Sequence, residues 1–149
     1  MYKNCAFTGH RILQKDFDYN LLDRVIFNLI QGGTKNFFCG MATGFDLAAA
    51  ESVLQYKKDF DIKLIACIPC LGQEKNFNKK NKEKYTKVLE KCDEKKVISE
   101  KYFDGCMFVR DRFMVDNCDV LVTYQRRKNG GTSYTVNYAK SKGINLIEL

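Results

Sequence analysis

Three short stretches of the chain carry residue types suited to holding an anionic or polar ligand. The first is Gly40-Met41-Ala42-Thr43-Gly44-Phe45-Asp46, set between the apolar run Phe37-Phe38-Cys39 and the small residues Ala48-Ala49-Ala50. An apolar strand, a glycine turn and a helix in immediate succession leave the first helical N–H groups unpaired and pointing into the turn. The spacing Gly-x-x-x-Gly lacks the lysine of a Walker A loop and the third glycine of the dinucleotide fingerprint, and small residues equally serve a tight strand–helix joint. Asp46 in the first turn has a charge favoured by the helix dipole but would repel a phosphate there, so its chemistry points to sugar hydroxyls or a base amine. The second stretch, Gly130-Gly131-Thr132, can offer backbone N–H groups and a hydroxyl to a phosphate, the alternative being a helix capped by Thr132. The third is Thr8-Gly9-His10-Arg11. Arg11 has the bidentate geometry for phosphate, or forms a surface ion pair. His10, the single histidine, can donate to a phosphate, act as acid or base, or stabilise its own loop.

Other candidates carry alternatives of similar weight. Arg110 and Asp116 share a helical segment whose Met107, Phe108 and Met114 read as core, and Arg112 with Asp116 fits an i, i+4 ion pair. Phe45 and Tyr124 can stack on a base but also suit the core. Cleavage of an N-glycosidic bond needs a carboxylate near the departing base or the sugar; Asp46, Asp111 and Glu74 are available, and none has the motif context of a catalytic group. Cys67-Ile68-Pro69-Cys70 is a C-x-x-C, but residues i and i+3 of a strand face opposite ways and no second pair completes a zinc site. No metal site and no cofactor is expected.

The elements that must position these residues are legible. Asn4 to Phe7 reads as a strand, and Leu21, Leu22, Val25, Ile26, Leu29 and Ile30 form one apolar helical stripe that Gly32-Gly33 stops. Further strands are expected at 37–39, 62–68, 96–99, 119–124 and 144–147, with helices after residue 44, near 79–92, over 106–117 and over 132–141. Alternating strands and helices along the whole length predict one α/β domain over residues 1–149: a doubly wound, mostly parallel sheet with helices on both faces. In such a sheet the loops that follow strands open at one carboxyl edge, where ligands bind. The polar, glycine-bearing loops after the first, second, third and fifth strands are therefore expected to form a single pocket.

Composition sets limits. The chain has 149 residues, 45% hydrophobic and 29% charged, within the ordinary globular range. Seven cysteines, an odd and scattered set, read as reduced core thiols. No run reaches the length of a membrane span and no signal-peptide core follows Met1, so a soluble cytoplasmic protein is expected. The net charge of +7 favours an anionic ligand, but the lysines between Lys75 and Lys101 are interleaved with Glu83, Glu90, Asp93, Glu94 and Glu100. That mixture fits a solvated helix face, and nucleic acid is not expected as the main partner. Tyr134, Val136 and Tyr138, with Phe103 and Phe108, offer apolar surface that points to a homo-oligomer.

The ordered blocks Thr-Gly-His-Arg (8–11), Gly-Met-Ala-x-Gly-x-Asp (40–46), Ile-Pro-Cys-x-Gly-Gln (68–73), Gly-Cys-Met (105–107), Arg-x-Arg-x-Met-Val-Asp (110–116) and Gly-Gly-Thr-x-x-Thr-Val-x-Tyr-Ala (130–139) together resemble the YpsA-like branch of the SLOG superfamily. The resemblance implies a Rossmann-like fold and a nucleotide or nucleotide-derived ligand, bound as by a sensor or sequestering protein. Its relatives include the Lonely Guy phosphoribohydrolases and the DNA-processing protein that handles single-stranded DNA, so nucleotide N-glycoside hydrolysis and single-stranded nucleic-acid binding are the alternatives. On the matching blocks it implies a ligand set of Thr8, Gly9, His10, Arg11, Gly40, Met41, Ala42, Gly44, Asp46, Pro69, Gln73, Arg110, Asp116, Gly130, Gly131, Thr132 and Thr135. Two departures stand out. Thr135 or Asn137 occupies the place of the Lonely Guy glutamate, which does not support that chemistry. Asp111 stands where the resemblance leads one to expect asparagine, exchanging two donors for a charge.

Overall fold

A computed structural model describes residues 1–149. The chain runs β1 (Asn4–Gly9), α1 (Tyr19–Gln31), β2 (Asn36–Cys39), α2 (Phe45–Lys57), β3 (Lys63–Ile68), a 3-10 turn (Gln73–Asn76), α3 (Lys79–Lys91), β4 (Glu94–Val97), α4 (Cys106–Asp116), β5 (Val120–Tyr124), α5 (Gly131–Ser141) and β6 (Asn145–Glu148). The six strands form one parallel sheet in the order β4-β3-β2-β1-β5-β6. This is the doubly wound α/β architecture that the sequence predicts. The order reverses between β1 and β5, so the loops after these two strands diverge and leave a crevice at the carboxyl edge.

Strand alternation builds two cores from one sheet. Cys5 and Phe7 of β1, Leu64 and Ala66 of β3, and Val120, Val122 and Tyr124 of β5 point to the face covered by α1, α2 and α3. Ala6, Ile65, Cys67 and Leu121, the intervening residues, point to the face covered by α4 and α5. The apolar stripe of α1 buries Leu22, Ile26, Leu29 and Ile30, and Asp18 caps the helix by accepting from the Leu21 N–H at 3.0 Å. All seven cysteines are free.

Several sequence expectations need correction. The fourth strand starts two residues early, at Glu94, because Ile65 pairs with Glu94 and this edge strand needs no apolar run. Phe108 is 40% exposed, while α4 turns Cys106, Arg110, Asp111, Met114 and Val115 inward. Arg112 donates to the Tyr134 hydroxyl at 2.5 Å and Asp116 accepts from the Tyr138 hydroxyl at 2.8 Å, so the two do not pair with each other. Val136 is buried and adds nothing to the exposed aromatic surface. Phe45 and Tyr124 are fully buried, their rings 5.9 Å apart and stacked, and neither is free to stack on a base.

Candidate functional site

A cavity of about 780 Å³ opens over the crevice between β1 and β5. Its walls come from four places: the loop after β1 (Thr8 to Ile12), Ala42 and Asp46 around the start of α2, the loop after β5 (Arg126, Arg127 and Asn129) with Gly131 and Thr132, and α4 with the segment before it. The loop after β3 stands back. Gln73 instead props the site from behind, its amide donating to the Gly40 carbonyl at 3.0 Å. The connection between β4 and α4, with the first turn of that helix, takes the place expected for that loop, bringing Tyr102, Met107 and Phe108 to the cavity.

One end of the cavity is acidic and built around a buried arginine. Arg110 is 4% exposed; its Nε donates to Asp111 Oδ1 at 2.6 Å, and its Nη1 donates to the Gly40 carbonyl. Asp111 Oδ2 also lies 3.0 Å from the Thr135 hydroxyl, so α4 and α5 are joined beneath the cavity floor. Asp111 and Thr135, one of the two places named for the absent glutamate, are thus in contact. Beside them Asp46 is 6% exposed and accepts from the Ala42 N–H at 3.2 Å. Burial pushes its carboxyl up to about 7, against the pull of the Arg110 guanidinium and reinforced by the charge of Asp111. Asp111 and Asp46 in turn hold Arg110 above its usual value although burial opposes them. The result is a pair of buried carboxyls facing a cavity and sharing one fixed cation.

Cationic groups gather on the loops after β1 and β5. None of the chain's ion pairs involves Arg11, Arg126 or Arg127. The Arg126 guanidinium lies over the Tyr124 ring, 4.4 Å from its centroid, and donates to an oxygen of Leu149 at 2.9 Å. Arg11 and Arg127 are exposed at the mouth. Helix α5 begins at Gly131 after Gly130, whose φ of 90° no β-carbon favours, and no side chain caps it. Thr132 is therefore not the cap that the sequence offered as an alternative; its hydroxyl sits 3.5 Å from His10 Nδ1. His10 is 8% exposed, and its Nε2 accepts from the Arg126 N–H at 2.7 Å. Burial and the charges of Arg127 and Arg126 lower its pKa from 6.5.

The structure brings Thr8, Gly9, His10, Arg11, Ala42, Asp46, Arg110, Asp111, Gly131 and Thr132 to the cavity. Gly40, Met41, Gly44, Pro69, Gln73, Asp116, Gly130 and Thr135 do not line it. The glycine turn before α2 is occupied by protein groups: the Asp46 carboxylate takes the Ala42 N–H and the His10 carbonyl takes the Phe45 N–H at 3.1 Å. Met41 is fully buried with a φ of 64°, and a β-carbon on Gly44 would lie 2.2 Å from the Arg11 carbonyl oxygen. These residues shape the crossing of two loops. Asp116, less than two turns past Arg110 at the end of α4, turns away from the cavity and accepts from the Tyr138 hydroxyl instead. Sequence reasoning missed Arg126, Arg127, Asn129, Tyr102 and the rim position of Phe108. The only signal for the first three was the basic, polar character of residues 125–132.

Comparison with known proteins agrees with this architecture. A UPF0398 protein of Bacillus cereus is 28% identical over 126 residues, covering 82% of this chain and 68% of the relative. One from Listeria monocytogenes is 29% identical over 145 residues, covering 89% and 80%. Among solved structures, DNA processing protein A of Streptococcus pneumoniae superimposes with a TM-score of 0.71 at 22% identity, over 99% of this chain and 53% of that one. The Helicobacter pylori protein of the same name, described in a single-stranded DNA binding mode, gives 0.69 at 19% identity, over 97% and 64%. The chain thus spans between half and two thirds of these structural neighbours, and the likeness is one of fold. No helix is long and apolar enough to cross a membrane. Residues 14–145 match the YpsA family model, and the chain accordingly belongs to the YspA SLOG family.

Proposed function

We propose that the protein binds a nucleotide or nucleotide-derived ligand in the crevice cavity, as a sensor or sequestering protein. The observation that carries this reading is the polarity of the cavity. Arg11, Arg127 and the uncapped start of α5 line it together with the buried carboxyls of Asp46 and Asp111, and Arg11 is near enough to Asp46 to pull its carboxyl down. Phosphate belongs with the backbone N–H groups and guanidinium donors. Sugar hydroxyls or a base amine belong with the carboxyls, which repel phosphate and accept hydrogen bonds. Hydrolysis of the N-glycosidic bond is the rival use of the same two carboxyls. A panel of nucleotides incubated with the protein, with chromatography for free base and calorimetry for binding, separates them. Retention of an unchanged nucleotide, weakened by about 1.5–3 kcal/mol in Arg11→Ala, is the expected result. Sustained release of base, abolished in Asp46→Asn or Asp111→Asn while binding persists, would establish the hydrolase instead.

A second reading draws on the single-stranded DNA binding of the Helicobacter pylori neighbour. Arg11, Arg126 and Arg127 beside the exposed Tyr102 and Phe108 provide cations and rings of the kind that track a strand. Binding of a labelled oligonucleotide that weakens steeply with salt would favour it.

A further inference from the structure

His10 holds both cavity loops through three separate contacts. Its carbonyl accepts from Phe45 at the start of α2, its Nε2 accepts from the Arg126 N–H at 2.7 Å across 116 residues of sequence, and its Nδ1 faces the Thr132 hydroxyl at 3.5 Å. A backbone N–H can only donate, so Nε2 is the bare nitrogen and the single ring proton sits on Nδ1. Both ring nitrogens are therefore committed to protein groups on the far side of the crevice. The ring edge packs against Tyr124 at 5.8 Å, which fixes its plane.

We infer that His10 is a positioning residue that works only while neutral, latching the loop over residues 125–131 so that Arg127 and the start of α5 form one wall of the cavity. A protonated ring would set N–H against N–H at the Arg126 contact, which cannot persist at hydrogen-bond distance. The surroundings keep the ring neutral. Arg126 and Arg127 face it from the loop after β5, Arg11 adjoins it on its own loop, Tyr124 and Thr132 are uncharged, and Asp46, Arg110 and Asp111 line the same cavity. Acid thus releases the loop, and the window lies below 6.5, where burial and the two arginines place the ring's titration. The role differs from direct donation to a phosphate: His10 aims the anion-binding groups and is spent in doing so.

The inference rests on the proposed ligand reading only for its consequence, and the test separates the two. In ligand-free, 15N-labelled protein, the Arg126 amide should shift with the same midpoint as the His10 ring, and its exchange protection should fall about tenfold below that midpoint. His10→Gln offers an acceptor at the Nε2 position that does not titrate, so protection should persist and become flat with pH. His10→Ala should lose about tenfold of protection even at about pH 8. An Arg126 amide that ignores the ring's titration in the parent protein, or stays protected in His10→Ala, overturns the latch. Inorganic sulfate, whose charge is constant across this range, probes the cavity itself. Saturable sulfate binding weakened about fivefold in His10→Ala and restored in His10→Gln supports the positioning role. Binding equal in all three overturns it. An amide that follows the ring in a protein that binds no sulfate supports the latch and removes the anion reading.

Discussion

Asp46→Asn tests the electrostatics of the cavity floor most directly. Asp46 is 6% exposed, and folding raises its pKa from 3.8 to about 7, with burial the leading cause. A carboxyl whose pKa rises on folding binds its proton more tightly in the native state, so stability falls as pH climbs between the two values and is flat above the higher one. The difference corresponds to roughly 4 kcal/mol of native-state penalty above pH 7. Asparagine has the same shape and can keep the acceptor for the Ala42 N–H, now 3.2 Å from Asp46 Oδ2, without the buried charge. The variant should therefore be more stable than the parent by that amount at about pH 8, by about half as much near pH 5, and by almost nothing at pH 4 and below. Urea unfolding at three pH values, with m-values compared, measures it. A variant less stable than the parent at pH 8 would refute the reasoning, since it would mean that Arg110 compensates the charge in full. A gain independent of pH would refute it equally. Retention of so costly a group in a cavity wall is what a functional carboxyl requires.

Other outcomes follow from the packing. Gly44→Ala should cost about 2–4 kcal/mol in thermal or urea unfolding, because a left-handed φ of 76° combines with backbone oxygens of Arg11 and His10 at 2.2 and 2.6 Å. Gly72→Ala, with a φ of 83° but open space around it, should cost only about 1–2 kcal/mol and serves as its control. Arg110→Leu leaves Asp111 and the Gly40 carbonyl without their buried donor, and about 3–5 kcal/mol of stability should be lost. Tyr102, Phe103 and Phe108, 66%, 42% and 40% exposed, should support self-association to at least a dimer. Sedimentation as a clean monomer at high concentration would decide against it.

What the sequence revealed was governed by local pattern. The stripe of α1 and the apolar runs of β1, β3 and β5 are short-range signals, and with alternation they lead to the parallel sheet and its carboxyl edge. The rest depended on residues distant in the chain. Nothing near Gly40 shows that Arg110, seventy positions on, fills the space behind it, and Met107 and Phe108 look more like core than Arg110 and Asp111 do. The glycine turn before α2 has the composition of a ligand loop, yet its donors are used by Asp46 and by the carbonyl of His10. The contact of Asp111 with Thr135 joins two helices whose relative rotation no periodicity reports.

The two faces of the sheet are unequally built. On one, α1, α2 and α3 share a cluster of 23 buried residues; on the other, α4 and α5 share one of 9. The free energy of a local opening follows the apolar contact it breaks, so the layer of α4 and α5 is the one that breathes first. These same helices carry Arg110, Asp111 and the Gly131 turn, so an opening of this layer disturbs the wall of the cavity. A ligand bound across both helices should slow amide exchange over the whole layer as a unit.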